Sequence, residues 1–395
     1  MSVRSTKKGV IVLVAVLVVA LALISVFAAA CGSSSTTTTT AAPATTTSMA
    51  GTATTMAAET TSTEAQTATT TAALTGDLNG AGATFPAPVY VEWIGGFQQA
   101  NPGVKMNYQS VGSGAGIQQF TKQTVDFGAS DAFMKAEEIT AAEAARAGAK
   151  VEQIPTVFGA ITLAYNLAGS PKLNLDSATL AAIFLGTITK WNDPALVALN
   201  PDVKLPATDI KTVHRSDSSG TTNSFTSYLA AVSPDWAAGP KSGKTVQWPV
   251  GVGGQGNDGV AGIIKQNENS IGYVELAYAT QASMTMAAMK NAAGKFIVPN
   301  LDSTTKAAEG LQIPADMNLL PLVMNSANPD AYPIVSSTYM LAYDKMPADK
   351  APAFKAFLTW ALGDEGTAIA KDLGYAPLPA DLKAAALKLV DAIGS

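Results

Sequence analysis

The chain has 395 residues, a formal net charge of −5, a single cysteine and a single histidine. No disulfide can form within it, zinc sites assembled from clustered His and Cys are excluded, and a triad enzyme would have one candidate base. The charge argues against nucleic-acid binding as well, since neutralising phosphates along a strand takes a basic stripe, whereas local dipoles can hold one anion on an acidic protein.

Arg4, Lys7 and Lys8 precede an apolar run over residues 9–27, followed by Ala28-Ala29-Ala30-Cys31-Gly32. A basic start, an apolar centre and small residues are the layout of a secretory signal. The small residues before the cysteine resemble a lipoprotein cleavage box, with Ala28 where such boxes usually carry Leu. That reading makes 1–30 a lipoprotein signal peptide and Cys31 a diacylglycerol-bearing terminus. The apolar run is also long enough for an uncleaved transmembrane anchor, and cleavage without lipid is the third alternative. Each leaves the rest of the chain facing outward from the cytoplasmic membrane. Residues 31–75 follow as a stretch of mostly Thr, Ala and Ser, charged only at Glu59 and Glu64. Such a composition cannot bury a core and reads as a disordered tether, spanning roughly 35–40 Å root-mean-square at about 5–6 Å per square root of residue number.

The remainder suits two lobes of ordinary domain size. Gly80-Ala81-Gly82-Ala83-Thr84-Phe85-Pro86 is a small-residue entry to a helical pattern in Val89, Trp93 and Phe97, preceded at most by a very short strand. After a strand-like run at 104–111, Gly112-Ser113-Gly114-Ala115-Gly116 is a second such entry, to Ile117 and Phe120. Residues 125–131 form a short strand ending in the carboxylate of Asp131. A strand at 160–165 precedes a helix at 177–185, whose Leu180, Ile183 and Phe184 fall with Ile188 on one face and whose cap is Ser177 or Asp176.

The strand at 211–214 leads into Arg215-Ser216-Asp217-Ser218-Ser219-Gly220-Thr221 and a helix at 221–229. Backbone N–H groups at a helix start have no intrahelical partner and carry the positive end of the dipole. A tetrahedral oxyanion can therefore sit on Ser219, Gly220 and Thr221, with Arg215 supplying formal charge. Taken alone, the turn is read equally well as an ordinary cap. His214 is a poor general base, because the neighbouring Arg215 charge disfavours imidazolium. The glycines of 251–259 permit positive φ and close backbone approach, and Asp258 alone is too few ligands for calcium. Near the C-terminus Phe354, Phe357, Leu358 and Ala361 form a core stripe, and Gly374 ends a helix before a loop at 375–379. The alternation of strands and helices argues for an α/β architecture with mainly parallel sheets.

Five segments, in order and with similar spacing, resemble the PstS phosphate-binding proteins of bacterial ABC transporters: GAGATFPAPVY, VDFGASDA, the Arg-x-Asp-x-Ser-Gly-Thr run from Arg215, WPVGVGGQGNDG and SIGYVELAYA. The resemblance covers essentially everything after residue 75. It implies a two-lobed periplasmic-binding-protein fold (type II-like), with ligand enclosed between lobes joined by two crossing strands near 155–159 and 331–334. Lobe I is then 76–157 and 333–395, and lobe II is 158–332. It implies phosphate contacts from Thr84, Phe85 (through its backbone N–H), Ser113, Asp131, Arg215, Ser219, Gly220 and Thr221, with Asp217 holding the arginine. No ligand contact is carried onto 248–259. The implied partners are inorganic phosphate, the permease subunits of an ABC transporter and the membrane, through a lipid on Cys31. The implied protein is a monomer without cofactor, metal or catalysis. A receptor for another tetrahedral oxyanion, or a phosphatase-like enzyme or adhesin reusing the fold, is the rival reading.

Overall fold

The structure is a computed structural model that describes residues 73–394, so the expected signal segment, Cys31 and almost all of the tether lie outside the described residues. The strands, in chain order, are β1 (Gly76–Gly82), β2 (Val104–Ser110), β3 (Phe127–Ser130), β4 (Val151–Asn166), β5 (Asn174–Leu175) and β6 (Lys211–Arg215). Then come β7 (Val252–Gly254), β8 (Ser270–Glu275), β9 (Thr285–Met286), β10 (Ala288–Lys290), β11 (Phe296–Ile297), β12 (Val335–Tyr343) and β13 (Ala376–Pro377). Eight of them run in the order β2-β1-β3-β12-β4-β8-β6-β7, with β9 and β13 also pairing β4, while β11-β10-β5 form a small separate sheet.

The expectation of mainly parallel sheets needs correction at the centre. The flanks are parallel, β2-β1-β3 on one side and β8-β6-β7 on the other. The middle pairings β3-β12, β12-β4 and β4-β8 are antiparallel. The cause is β4, whose 16 residues are nearly all buried. It pairs with β12 along Val151–Ala160 and with β8 along Ile161–Asn166, so one strand belongs to both half-sheets and exchanges partners between Ala160 and Ile161. A strand buried on both faces reads as a continuous apolar run; a strand at 160–165 and a crossing near 155–159 were expected, but not their union in one 16-residue strand.

The glycines at 80 and 82 are also not a loop, because they lie inside the seven-residue β1. They are there for close approach. A Cβ on Gly116 would come 2.4 Å from the Gly82 Cα, so the helix Ser113–Thr121 packs closely onto β1, whereas a Cβ on Gly82 would meet the Ala129 carbonyl of β3 at 2.1 Å and one on Gly80 the Phe127 ring. Elsewhere local chemistry acts as expected. Asp176 caps Ser177–Leu185 by accepting from the Thr179 amide at 2.9 Å, and Leu180, Ile183, Phe184 and Ile188 are buried, as are Phe354, Phe357, Leu358 and Ala361. The expected loop at 375–379 contains β13, which pairs Ala376 and Pro377 with Phe158 and Val157 of β4. Among the described residues no helix is long and apolar enough to cross a membrane.

Candidate functional site

Four strand ends deliver four chain segments to one place. After β1 comes Thr84. Ser113 follows β2 as the first residue of its helix, and Asp131 directly follows β3. From the other half-sheet, β6 ends at Arg215 and leads through Ser219, the N-cap, into the helix Gly220–Val232. Ligands of open α/β sheets sit at such carboxyl ends of strands, where helix N-termini converge.

The contacts across the two half-sheets are direct. Ser113 Oγ accepts from the Gly220 amide at 3.1 Å and from the Asp131 amide at 3.3 Å. The Gly114 amide donates to Ser218 O at 2.9 Å. A Cβ on Gly220 would lie 2.5 Å from Ser113 Oγ and 2.6 Å from Asp131 Oδ2, so any other residue would fill the space the helix start leaves there. Ser219 Oγ accepts from the Thr222 amide at 3.0 Å, which fixes the first turn. At the rim, Lys244 pairs with Glu138, and its carbonyl accepts from the Ser219 amide at 2.9 Å.

Arg215 is held from three sides. Its Nε donates to Asp217 Oδ1 at 2.7 Å and its Nη2 to Asp217 Oδ2, a bidentate clamp, while Nη1 donates to Thr221 Oγ1 at 3.3 Å. Burial works against an ionised Asp217, yet the Arg215 hydrogen bond and charge and the Gly256 amide together hold its carboxyl below the ordinary range. The clamp fixes the guanidinium plane and leaves Nη1 on the Thr221 side.

Asp131 carries the opposite polarity. Its Oδ1 accepts from Thr338 Oγ1 at 2.9 Å, whereas Oδ2 is buried without a hydrogen-bond partner. Burial outweighs the Thr338 hydrogen bond, the Arg215 charge and the nearby Thr221 hydroxyl and raises its pKa to about 7. A second buried acid, Glu275, is raised to about 8, again chiefly by burial. The Tyr375 hydroxyl lies 2.7 Å from the Phe85 carbonyl and 2.8 Å from Glu275 Oε2. One phenolic proton faces two acceptors there, which fits a protonated Glu275 donating in its turn.

Thr84, Ser113, Asp131, Arg215, Gly220 and Thr221 thus form one connected, buried cluster with the partly buried Asp217; Phe85 and Ser219, also buried, adjoin it. His214 does not join. Its ring stacks on Trp248 with centroids 4.7 Å apart, and Nδ1 lies 3.0 Å from the Arg215 carbonyl. Its pKa is lowered, as expected, but by burial and not by the Arg215 charge. Two participants were missed. Thr338, on β12, orients Asp131. Asn257 donates through Nδ2 to Thr84 Oγ1 at 2.8 Å and to Thr221 Oγ1 at 3.3 Å. Asn257 is the second residue of the helix Gly256–Gln266 that follows β7, the same strand-to-helix entry as at Ser113 and Gly220, and that repetition was the available signal. Chemically the cluster offers hydroxyl and amide donors, one fixed cation and one acceptor.

Comparison with known proteins agrees with this layout. Residues 38–365 match a PBP superfamily domain. The phosphate-binding protein PstS of Haemophilus influenzae is 41% identical over 309 residues, covering 77% of this chain and 90% of that one. PstS 3 of Mycobacterium tuberculosis is 40% identical over 322 residues, covering 80% and 86%. Among solved structures, a high-affinity periplasmic phosphate-binding protein bound with phosphate superposes with a TM-score of 0.63 at 24% identity, covering 78% of this chain and 92% of that one. An ancestral soluble variant of the human phosphate binding protein gives 0.64 at 22%, with the same coverage. At these identities the structural likeness concerns the fold.

Proposed function

The chain belongs to the PstS family of phosphate-binding proteins, and from that premise and the geometry above we propose that it is an extracytoplasmic receptor that captures inorganic phosphate and delivers it to an ABC permease. The observation that carries the proposal is the buried cluster itself. Hydroxyls of Thr84, Ser113, Ser219 and Thr221, the amide at Phe85 and the clamped Arg215 suit the oxygens of one tetrahedral anion beside Gly220, whose own amide donates to Ser113 Oγ as that of Ser219 does to the Lys244 carbonyl, while the unpartnered Asp131 Oδ2 suits its proton. Anion binding at a helix start with an added guanidinium follows from the helix dipole and the guanidinium charge. The protein acts as a binder without catalysis, a reading supported by the one histidine, His214, being engaged by Trp248 and the Arg215 carbonyl.

We place lobe I at 76–157 and 333–395 and lobe II at 158–332, which is supported by the partner exchange along β4. Phosphate then holds the lobes closed, with the Lys244–Glu138 pair as a rim contact. The chain works as a monomer tethered through 31–75 to a lipid on Cys31 after loss of 1–30, a reading that rests on the sequence layout alone. Titration with phosphate, sulfate and arsenate beside a phosphomonoester turnover assay tests the function. Saturable phosphate binding without turnover is expected; turnover, or binding of sulfate in preference, contradicts it.

A further inference from the structure

Three hydroxyls at the site share a pattern. Ser113 Oγ accepts from two backbone amides, those of Gly220 and Asp131. Thr84 Oγ1 accepts from the Asn257 amide at 3.3 Å and from Asn257 Nδ2 at 2.8 Å. Thr221 Oγ1 accepts from Asn257 Nδ2 and Arg215 Nη1, both at 3.3 Å. A hydroxyl has two lone pairs and one proton. With both lone pairs met by N–H groups, each of the three can offer a further partner only its proton.

Ser113 owes this to the backbone, whereas Thr84 and Thr221 owe it largely to one side chain. Both Nδ2 protons of Asn257 are spent, one on each threonine. The amide cannot be turned round, because Oδ1 accepts from the Glu275 N–H at 2.9 Å and a flip would oppose two donors. Asn257 is fully buried, so water supplies no substitute.

We propose that Asn257 is a positioning residue that makes Thr84 and Thr221 obligate donors toward the anion, an inference that rests on the phosphate-receptor reading above. The site then accepts one ligand proton, at Asp131, and none of these three hydroxyls is free to accept another. Monohydrogen phosphate is therefore favoured over dihydrogen phosphate. When Asn257 is replaced by an apolar side chain of similar size, both hydroxyls can turn, and discrimination against the extra proton relaxes.

The test is calorimetric titration of the full chain with inorganic phosphate, from the acid to the alkaline side of the second ionisation of phosphate. The proteins are wild type, Asn257→Leu, Thr84→Val and the double variant, each checked for folding by its melting transition. The charged and titratable groups around the hydroxyls, Asp131, Arg215, Asp217, Asp258, Glu275, Tyr108 and Tyr278, are present in all four, and because a freed Thr221 hydroxyl also moves the titration of Asp131, the double-variant cycle at one pH is read beside the pH comparison. Asn257→Leu should weaken alkaline-side binding by about tenfold or more, as expected for lost donors in a buried site, and acid-side binding by clearly less. Thr84→Val should cost several-fold in wild type and little in the Asn257→Leu background. A uniform loss across pH, or additive losses, overturns the positioning role. If Asn257→Leu does not fold, Asn257→Asp serves: it keeps the acceptor for the Glu275 amide but loses the donors when ionised, and wild-type affinity on the alkaline side overturns the proposal. Wild type failing to bind phosphate sinks the receptor reading itself, an outcome separate from binding that is normal but additive.

Discussion

Replacing Asp131 by Asn should alter anion selectivity in a way that depends on pH. Asp131 Oδ2 is the unpartnered acceptor in a site otherwise made of donors. Monohydrogen phosphate brings a proton to it. Sulfate brings none, so sulfate can bind well only if Asp131 itself takes up a proton and donates. With the pKa raised to about 7, that uptake is cheap below pH 7. Above it, the uptake costs about 1.4 kcal/mol per pH unit, a factor of about ten. The wild-type preference for phosphate over sulfate should therefore widen by up to about tenfold per unit between about pH 7 and pH 9. In Asp131→Asn the amide presents a donor at every pH, so the preference should shrink and become flat. Calorimetry with both anions, in buffers of different ionisation enthalpy, also reads the proton uptake that should accompany sulfate alone. A wild-type ratio that does not move with pH, or an Asp131→Asn ratio equal to that of wild type, refutes the assignment.

Arg215→Ala should weaken phosphate and sulfate alike, by about 100-fold or more, and also lower the melting temperature, because the partly buried Asp217 loses its bidentate partner and broken buried pairs cost about 3–5 kcal/mol. Calorimetry and thermal melts on the same preparation separate the two effects. Glu275, ordinarily near 4.5, is raised to about 8 in the fold; the folded protein holds this proton more tightly than the unfolded chain does. Its favourable contribution is complete below the ordinary value and is lost as pH climbs through about 8. Glu275→Gln should accordingly melt increasingly above wild type as pH rises over that window, and parallel curves would count against it. Cys31→Ala should release or misprocess the protein while leaving phosphate binding unchanged, and intact mass of membrane-extracted wild type should lack residues 1–30.

The parts of the fold legible in the sequence are those where local chemistry and tertiary demand coincide. The segment 176–188 carries its own cap and a one-sided apolar stripe, and it folds as its pattern says. The Arg215–Thr221 turn was readable for the same reason, since strand end, charge and helix entry are consecutive. β1 was hidden because Gly80, Ala81 and Gly82 carry no strand propensity; the missing side chains at 80 and 82 make room for Phe127 and Ala129 of the neighbouring β3. The long β4 and the antiparallel centre were hidden because a strand shared by two half-sheets shows no alternation. Asn257 escaped because its role exists only in three dimensions: Thr84 lies 173 residues away in the chain, and the surrounding glycines offer no periodicity. Thr338 sits in Val335–Tyr343, buried at every position, where a polar side chain gives no sign of facing Asp131.

The most direct measurement is a crystal structure of the protein with phosphate. One anion is expected between the lobes beside Gly220, its oxygens within hydrogen-bond distance of Thr84, Phe85 N, Ser113, Arg215, Ser219 and Thr221, and one oxygen against Asp131 Oδ2. Phosphate bound elsewhere, or held without contact to Arg215 and Asp131, would contradict the account.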